Sequence, residues 1–122
     1  MTPSRRDPAQ YLPLTAPVYH VLVALAGDEQ HGYAIIKTVA RQTDERVLLS
    51  TGTLYGIVKR LLAEGLIVET VRRPAAANDD ERRRYYRITD LGRRVAVAEA
   101  RRLEQMVAVA RSTRLLGEPG SV

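Results

Sequence analysis

The stretch STGTLYGIVKRLLAEG, residues 50–65, constrains this chain more than any other because it reads as a short helix with two unlike sides. At the helical angular step, Leu54, Ile57, Val58, Leu61 and Leu62 gather on one arc, and Tyr55, Gly56, Lys59, Arg60 and Ala63 share the other. The first arc must be buried against other elements of the same chain. The second carries two cations, an aromatic hydroxyl and two very small residues. Glycine inside a helix costs roughly 0.5–1 kcal/mol relative to alanine, so Gly56 on the outer arc points to a close approach by an anionic surface.

The rest of the chain supplies the frame for that helix. Residues 1–13, with Pro3, Pro8 and Pro13, read as a loose arm. Thr15 then offers a capping hydroxyl and Pro17 a first-turn proline, opening a helix through Val18, Val21, Leu22 and Leu25 that is apolar nearly all round and stops at Gly27 and Asp28. A second helix starts near His31 and Gly32, with Tyr33, Ile36, Val39 and Ala40 at three- and four-residue spacing, and a linker covers residues 41–49. Ser50 or Thr51 caps the third helix, and Gly65 closes it as a left-handed stop. Two extended runs, 66–72 and 84–88, flank a polar tip at 74–81 and predict a β-hairpin of the kind called a wing.

Thr89 caps a long final helix from about Asp90 to Leu116, with Asp90 favourably placed in its first turn. Leu91, Val95, Ala98, Leu103, Met106, Val107, Val109, Ala110, Thr113 and Leu116 occupy about half of its circumference, although Glu99 and Arg102 intrude on that side. Three short helices and a hairpin cannot cover so long an apolar face. Pairing with the same helix of a second copy is the simplest solution, and Leu91, Val95, Leu103, Met106, Val107, Ala110 and Thr113 are the expected contacts. An intramolecular clamp over the hairpin is the competing reading. The expected fold is mainly α with a small β-hairpin: a winged helix-turn-helix over residues 14–89, a dimerisation helix over 90–117 and a loose tail at 118–122.

Composition narrows the function. A chain of 122 residues with formal net charge +5 and clustered arginines is drawn to phosphate backbones, though genome bias alone also enriches arginine and alanine. The absence of cysteine excludes disulfides and thiolate metal sites, and His20 and His31 are too far apart and too poor in nearby carboxylates to suggest a metal. No histidine is paired with a nucleophile, and neither a phosphate-binding glycine loop nor a credible carboxylate pair is present, so an enzyme is not expected and no cofactor is implied. The apolar run 21–26 is too short to span a bilayer, and the first residues lack a signal-peptide core, so no membrane association is expected and the cytoplasm is the default location.

Four stations resemble the PadR family of transcriptional regulators: His31-Gly32-Tyr33; Gly52-Thr53-Leu54-Tyr55; Arg60-Leu61 with Glu64-Gly65-Leu66-Ile67; and Tyr85-Tyr86-Arg87-Ile88-Thr89 with Leu91-Gly92. They cover about residues 14–95 in the right order. The chain departs from the family pattern at Gly56, where proline is frequent, and its single C-terminal helix is similar to the short branch in which that helix mediates dimer formation. The resemblance implies a homodimeric, sequence-specific regulator of double-stranded DNA, a repressor on a pseudo-palindromic operator. It also admits a small-molecule effector of unspecified identity, although relatives that sense planar aromatic compounds are expected to hold them with aromatic side chains, and Trp and Phe are absent here.

On this reading the amides near Thr51 and Thr53, with Ser50 and the threonine hydroxyls, hold a phosphate. Tyr55 faces DNA across the bare Gly56, while Lys59 and Arg60 reach base edges or the far strand. Arg72, Arg73, Arg82, Arg83 and Arg84 flank the wing and meet phosphates or a minor groove, with Asp79, Asp80 and Glu81 offsetting them at the tip. Tyr33 contacts a phosphate or anchors the core; Tyr55 alternatively packs under the wing; Tyr86 and Ile88 point inward. A protein-interaction adaptor that keeps the scaffold without binding DNA is the alternative of a different class.

Overall fold

The computed structural model describes residues 6–72 and 83–117. Each helix begins on a side-chain cap, as its local sequence requires. In α1 (Ala16–Gly27) the Thr15 hydroxyl accepts from the Val18 amide and Pro17 lies in the first turn. After the two-residue strand β1 (Gln30–His31), the His31 ring nitrogen accepts from the Ala34 amide to open α2 (Gly32–Gln42). Ser50 Oγ accepts from the Thr53 amide at 3.1 Å to open α3 (Thr51–Ala63). That helix ends with Gly65 at φ +75°, where the Leu66 amide donates to the Leu61 carbonyl. A Cβ at that φ crowds the carbonyl oxygen at a cost of roughly 1–2 kcal/mol, which favours glycine there.

Strands β2 (Ile67–Arg72) and β3 (Arg83–Ile88) form the expected hairpin, registered from Ile67 opposite Ile88 to Arg72 opposite Arg83. The sheet nevertheless has three strands, in the order β1-β3-β2, because Gln30 and His31 pair with Tyr86 and Tyr85 on the other edge of β3. Two residues are too few to show alternation in a sequence. Their pairing satisfies backbone groups that the hairpin alone leaves open on that edge.

The core lies between α1, α2, α3, the inner face of the sheet and the first half of α4 (Asp90–Ser112). Val21, Leu22, Ile35, Leu54, Leu61, Leu66 and Val95 are its most enclosed members, and Tyr86 and Ile88 point into it from β3. Thr89 joins α4 to the rest: its hydroxyl donates to the Gly65 carbonyl at 2.8 Å and accepts from the Gly92 amide, and its own amide donates to the Leu66 carbonyl. A Cβ on Gly92 would overlap the Leu66 carbonyl oxygen and come within 2.8 Å of Ile88, so only glycine lets the root of α4 lie this close.

Three expectations need correction. The proposed loose arm is a built element over its described part: Pro8–Tyr11 forms a 3-10 turn capped by Asp7, Tyr11 and Leu12 pack on the core, and Leu14 is buried. Leu91 and Val95 are enclosed by their own chain, Val95 completely, so they are not available to a second copy. Helical periodicity sorts residues by face but does not say what covers the face along its length. The final helix also stops at Ser112, with Thr113 as its cap and Arg114 at φ +63°.

The two intruders on the apolar side of α4 have a partner that makes sense of them. Glu99, only 1% exposed, accepts a 2.8 Å hydrogen bond from the Leu14 amide and further bonds from Arg102 Nε and Nη2. The Arg102 hydrogen bond, helped by the Leu14 amide, holds the Glu99 carboxyl below its ordinary pKa although burial opposes this. No helix among the described residues is long and apolar enough to cross a membrane.

Candidate nucleic-acid interface

The outer arc of α3 is uncovered by its own chain. Ser50, Thr51, Gly52, Thr53, Tyr55, Gly56, Lys59 and Arg60 are all exposed, while Leu54, Val58 and Leu61 on the opposite arc are buried. Amphipathic placement therefore fixes which way the cations point. A Cβ built on Gly52 or on Gly56 meets nothing within 4 Å, so neither glycine is demanded by packing inside the monomer. At the helix start, Ser50 takes the Thr53 amide and its Oγ lies 3.0 Å from Thr53 Oγ1. The Thr51 and Gly52 amides have no intrahelical acceptor and carry the positive end of the helix dipole.

Tyr55 is half exposed, at 49%, and its hydroxyl end rests on the first residue of α2: a Cβ on Gly32 would collide with the hydroxyl and stand 2.9 Å from Cζ. The ring is thus braced by α2. Burial raises the neighbouring Tyr86 phenol above its ordinary pKa, with Glu69 and Tyr55 adding to the effect and Arg84 opposing it. Arg60 pairs with Glu64 one turn on, at 3.2 Å, and Arg84 pairs with Glu69 across the sheet at 3.3 Å. Such exposed pairs are worth little and exchange readily for another anion. Tyr33 is 60% exposed, which removes the core-anchor reading, and Lys37 Nζ lies 4.6 Å from the centre of its ring.

The wing is only partly on view. Arg72 and Arg83 face each other as the last register pair of the hairpin, while Arg73, Arg82 and the acidic tip lie outside the described residues. Among the described residues no group of three or more His, Asp or Glu side chains could hold a metal ion.

A second surface lies away from α3. Beyond Glu99 the apolar stripe of α4 leaves the core: Leu103, Met106, Val107 and Val109 are exposed, and Ala110 is partly covered. Tyr19 of α1 and the α4 residues Ala100, Leu103, Val107 and Arg111 line an open groove of about 570 Å³. Of the expected pairing residues, Leu103, Met106, Val107, Ala110 and Thr113 are thus on this surface, and the Thr113 hydroxyl is engaged by the Ala110 carbonyl. Sequence reasoning missed the bracing of Tyr55 by Gly32 and the place of Lys37; the four-residue step from Tyr33 to Lys37 was the available signal for the second.

The sequence matches the profile described as the transcriptional regulator PadR-like family over residues 21–98. It is 34% identical over 87 residues, 71% of this chain and 75% of the relative, to the transcriptional regulator Rv3488 of Mycobacterium tuberculosis. Among solved structures, a transcriptional regulator from Clostridium thermocellum superposes with TM-score 0.67 at 24% identity, covering 82% of this chain and 97% of the other. Bacillus subtilis PadR, determined in complex with operator DNA, superposes with TM-score 0.60 at 20% identity over 69% of this chain and 46% of that one. At these identities the structural likenesses establish the fold.

Proposed function

We propose, from the premise that this chain belongs to the PadR-like family of transcriptional regulators, that it acts in the cytoplasm as a homodimer that binds a pseudo-palindromic operator in double-stranded DNA and represses the adjacent promoter. The observation that carries this reading is the bare outer arc of α3, where Tyr55, Lys59 and Arg60 are exposed above a buried apolar arc. The Thr51 and Gly52 amides, with Ser50 and Thr53, fix the register on a phosphate, and Lys59 and Arg60 read base edges. The wing arginines 72, 73, 82, 83 and 84 attach to the flanking backbone.

Dimerisation through Leu103, Met106, Val107, Ala110 and Thr113 is supported by the run of large apolar side chains that the outer half of α4 leaves in water. A dyad through that helix sets the two α3 helices on half-sites roughly 34–36 Å apart. The groove beside Tyr19 has room for a small-molecule effector, and among the described residues that tyrosine is its single aromatic wall. The test is fluorescence polarisation on the protein's own promoter fragment. Affinity should fall with salt at a log–log slope of about 0.9 per phosphate contact. Replacing Lys59 and Arg60 together by alanine should abolish binding while leaving dimer mass unchanged. Binding that ignores salt, or that survives the double replacement, would refute the assignment.

A further inference from the structure

We propose that Gly32, the first residue of α2, is the positioning residue for base reading by Tyr55: its missing side chain is the seat that holds the tyrosine ring in one orientation, facing a thymine methyl in the major groove. The inference rests on the DNA-binding reading above and deepens it, naming what Tyr55 reads and what aims it.

The backbone gives no reason for glycine at this position. Gly32 is helical and has no left-handed φ, so its main chain accepts a side chain. Space is the reason. A Cβ there would collide with the Tyr55 hydroxyl, stand 2.9 Å from Tyr55 Cζ and 3.3 Å from Leu54 Cδ2, all on α3. The seat is in turn fixed from the sheet. His31, one residue earlier, pairs with Tyr85 of β3, meets its ring edge-on with centroids 5.4 Å apart, and takes the Ala34 amide on Nδ1.

Tyr55 needs such a seat. A tyrosine on the open arc of a helix has two accessible χ1 wells, and a ring shared between them presents no fixed edge to a base. With its hydroxyl end against α2 the side chain is still 49% exposed, so the ring is what it leaves on the open arc. Apolar ring carbons match the C5-methyl of thymine, the apolar mark by which the major groove distinguishes that base. Gly56 beside it leaves the approach open, since nothing lies within 4 Å of a Cβ built there. A ring ordered before the duplex arrives also loses less freedom on binding.

The experiment measures wild type, Gly32→Ala and Gly32→Ala/Tyr55→Phe on the protein's own promoter fragment and on the same fragment with deoxyuridine in place of thymidine. Burial of one methyl is worth about fourfold, so the two tyrosines of a dimer carry about 15-fold. The exchange should therefore weaken wild type about 15-fold more than it weakens Gly32→Ala, because any other change in the duplex bears on both proteins alike. The double variant, in which the hydroxyl no longer occupies the space of the new methyl, should regain most of that sensitivity. A second measurement needs no variant: in free wild type, nuclear magnetic resonance should show one χ1 state for Tyr55 and contacts from its ring protons to the Gly32 α-protons. Equal sensitivity of wild type and Gly32→Ala, a double variant no more sensitive than the single one, or an averaged χ1 would overturn the proposal while leaving DNA binding intact. Wild type that binds neither duplex would overturn both readings.

Discussion

Replacing Glu99 by glutamine tests how the N-terminal segment is fastened. The carboxylate is 1% exposed and accepts from the Leu14 amide, 2.8 Å away, and twice from Arg102. Glutamine keeps the shape and one acceptor oxygen, which can still take the Leu14 amide, but it turns an NH2 group toward Arg102. At least one hydrogen bond to a charged group is lost, which costs about 1.5–3 kcal/mol. Arg102 is partly solvated and recovers water, so about 2 kcal/mol is the appropriate figure. For a domain of this size that lowers the melting temperature by about 8 °C. The assay is thermal unfolding followed by far-ultraviolet circular dichroism, at one protein concentration because a dimer's stability depends on it.

Acid adds a second readout. The Arg102 hydrogen bond lowers the folded-state pKa of Glu99, so the folded protein binds fewer protons than the unfolded chain around the ordinary carboxylate range. The stabilisation is complete above the unfolded value of roughly pH 4.3 and is lost as pH falls through the lower folded value. The gap between wild type and Glu99→Gln should therefore narrow on acidification through that window. A variant that melts with wild type at neutral pH would refute the clasp, and so would a gap that stays constant into acid.

Gly56→Ala should raise thermal stability by about 0.5–1 kcal/mol, because the new methyl meets nothing within 4 Å in the monomer, yet weaken promoter binding in the polarisation assay. A tighter complex would show that the duplex does not approach that turn. Two valines of α4 should behave in opposite ways. Val107→Glu, on the exposed stripe, should yield a folded monomer by light scattering, whereas Val95→Ala, fully enclosed, should leave the dimer intact but cost about 1–2 kcal/mol in a denaturant titration. Equal effects of the two changes on dimer mass would contradict the division of that helix into a core half and a pairing half.

Much of this architecture is written in local chemistry. The hydroxyls of Thr15, Ser50 and Thr89 each cap the helix they precede, and Gly65 takes the left-handed stop after α3, because these choices depend on a few neighbouring residues. What escaped reading depends on groups brought together only by folding. The acceptor that makes sense of Glu99 in an apolar stripe is the amide of Leu14, distant in sequence. Strand β1 has no periodicity of its own and exists because β3 offers it an edge. Leu91 and Leu103 look alike on a helical wheel, and only the depth of the core distinguishes them. Within the site, the outer arc of α3 was legible from its periodicity, whereas the support that Gly32 gives Tyr55 needed the packing of one helix on another.

The joint at Thr89 and Gly92 has a mechanical corollary. With the threonine bonded to Gly65 and Leu66 and no room for a side chain at Gly92, the base of the long helix turns only together with the end of α3. Its 23 residues make a rigid lever about 34 Å long. A tilt of about 10° at one end of such a rod displaces the other by about 6 Å, more than the roughly 3.4 Å step between base pairs. In a pair of such chains, the crossing of the two rods therefore acts as the vernier that sets which operator spacings both halves can grip at once.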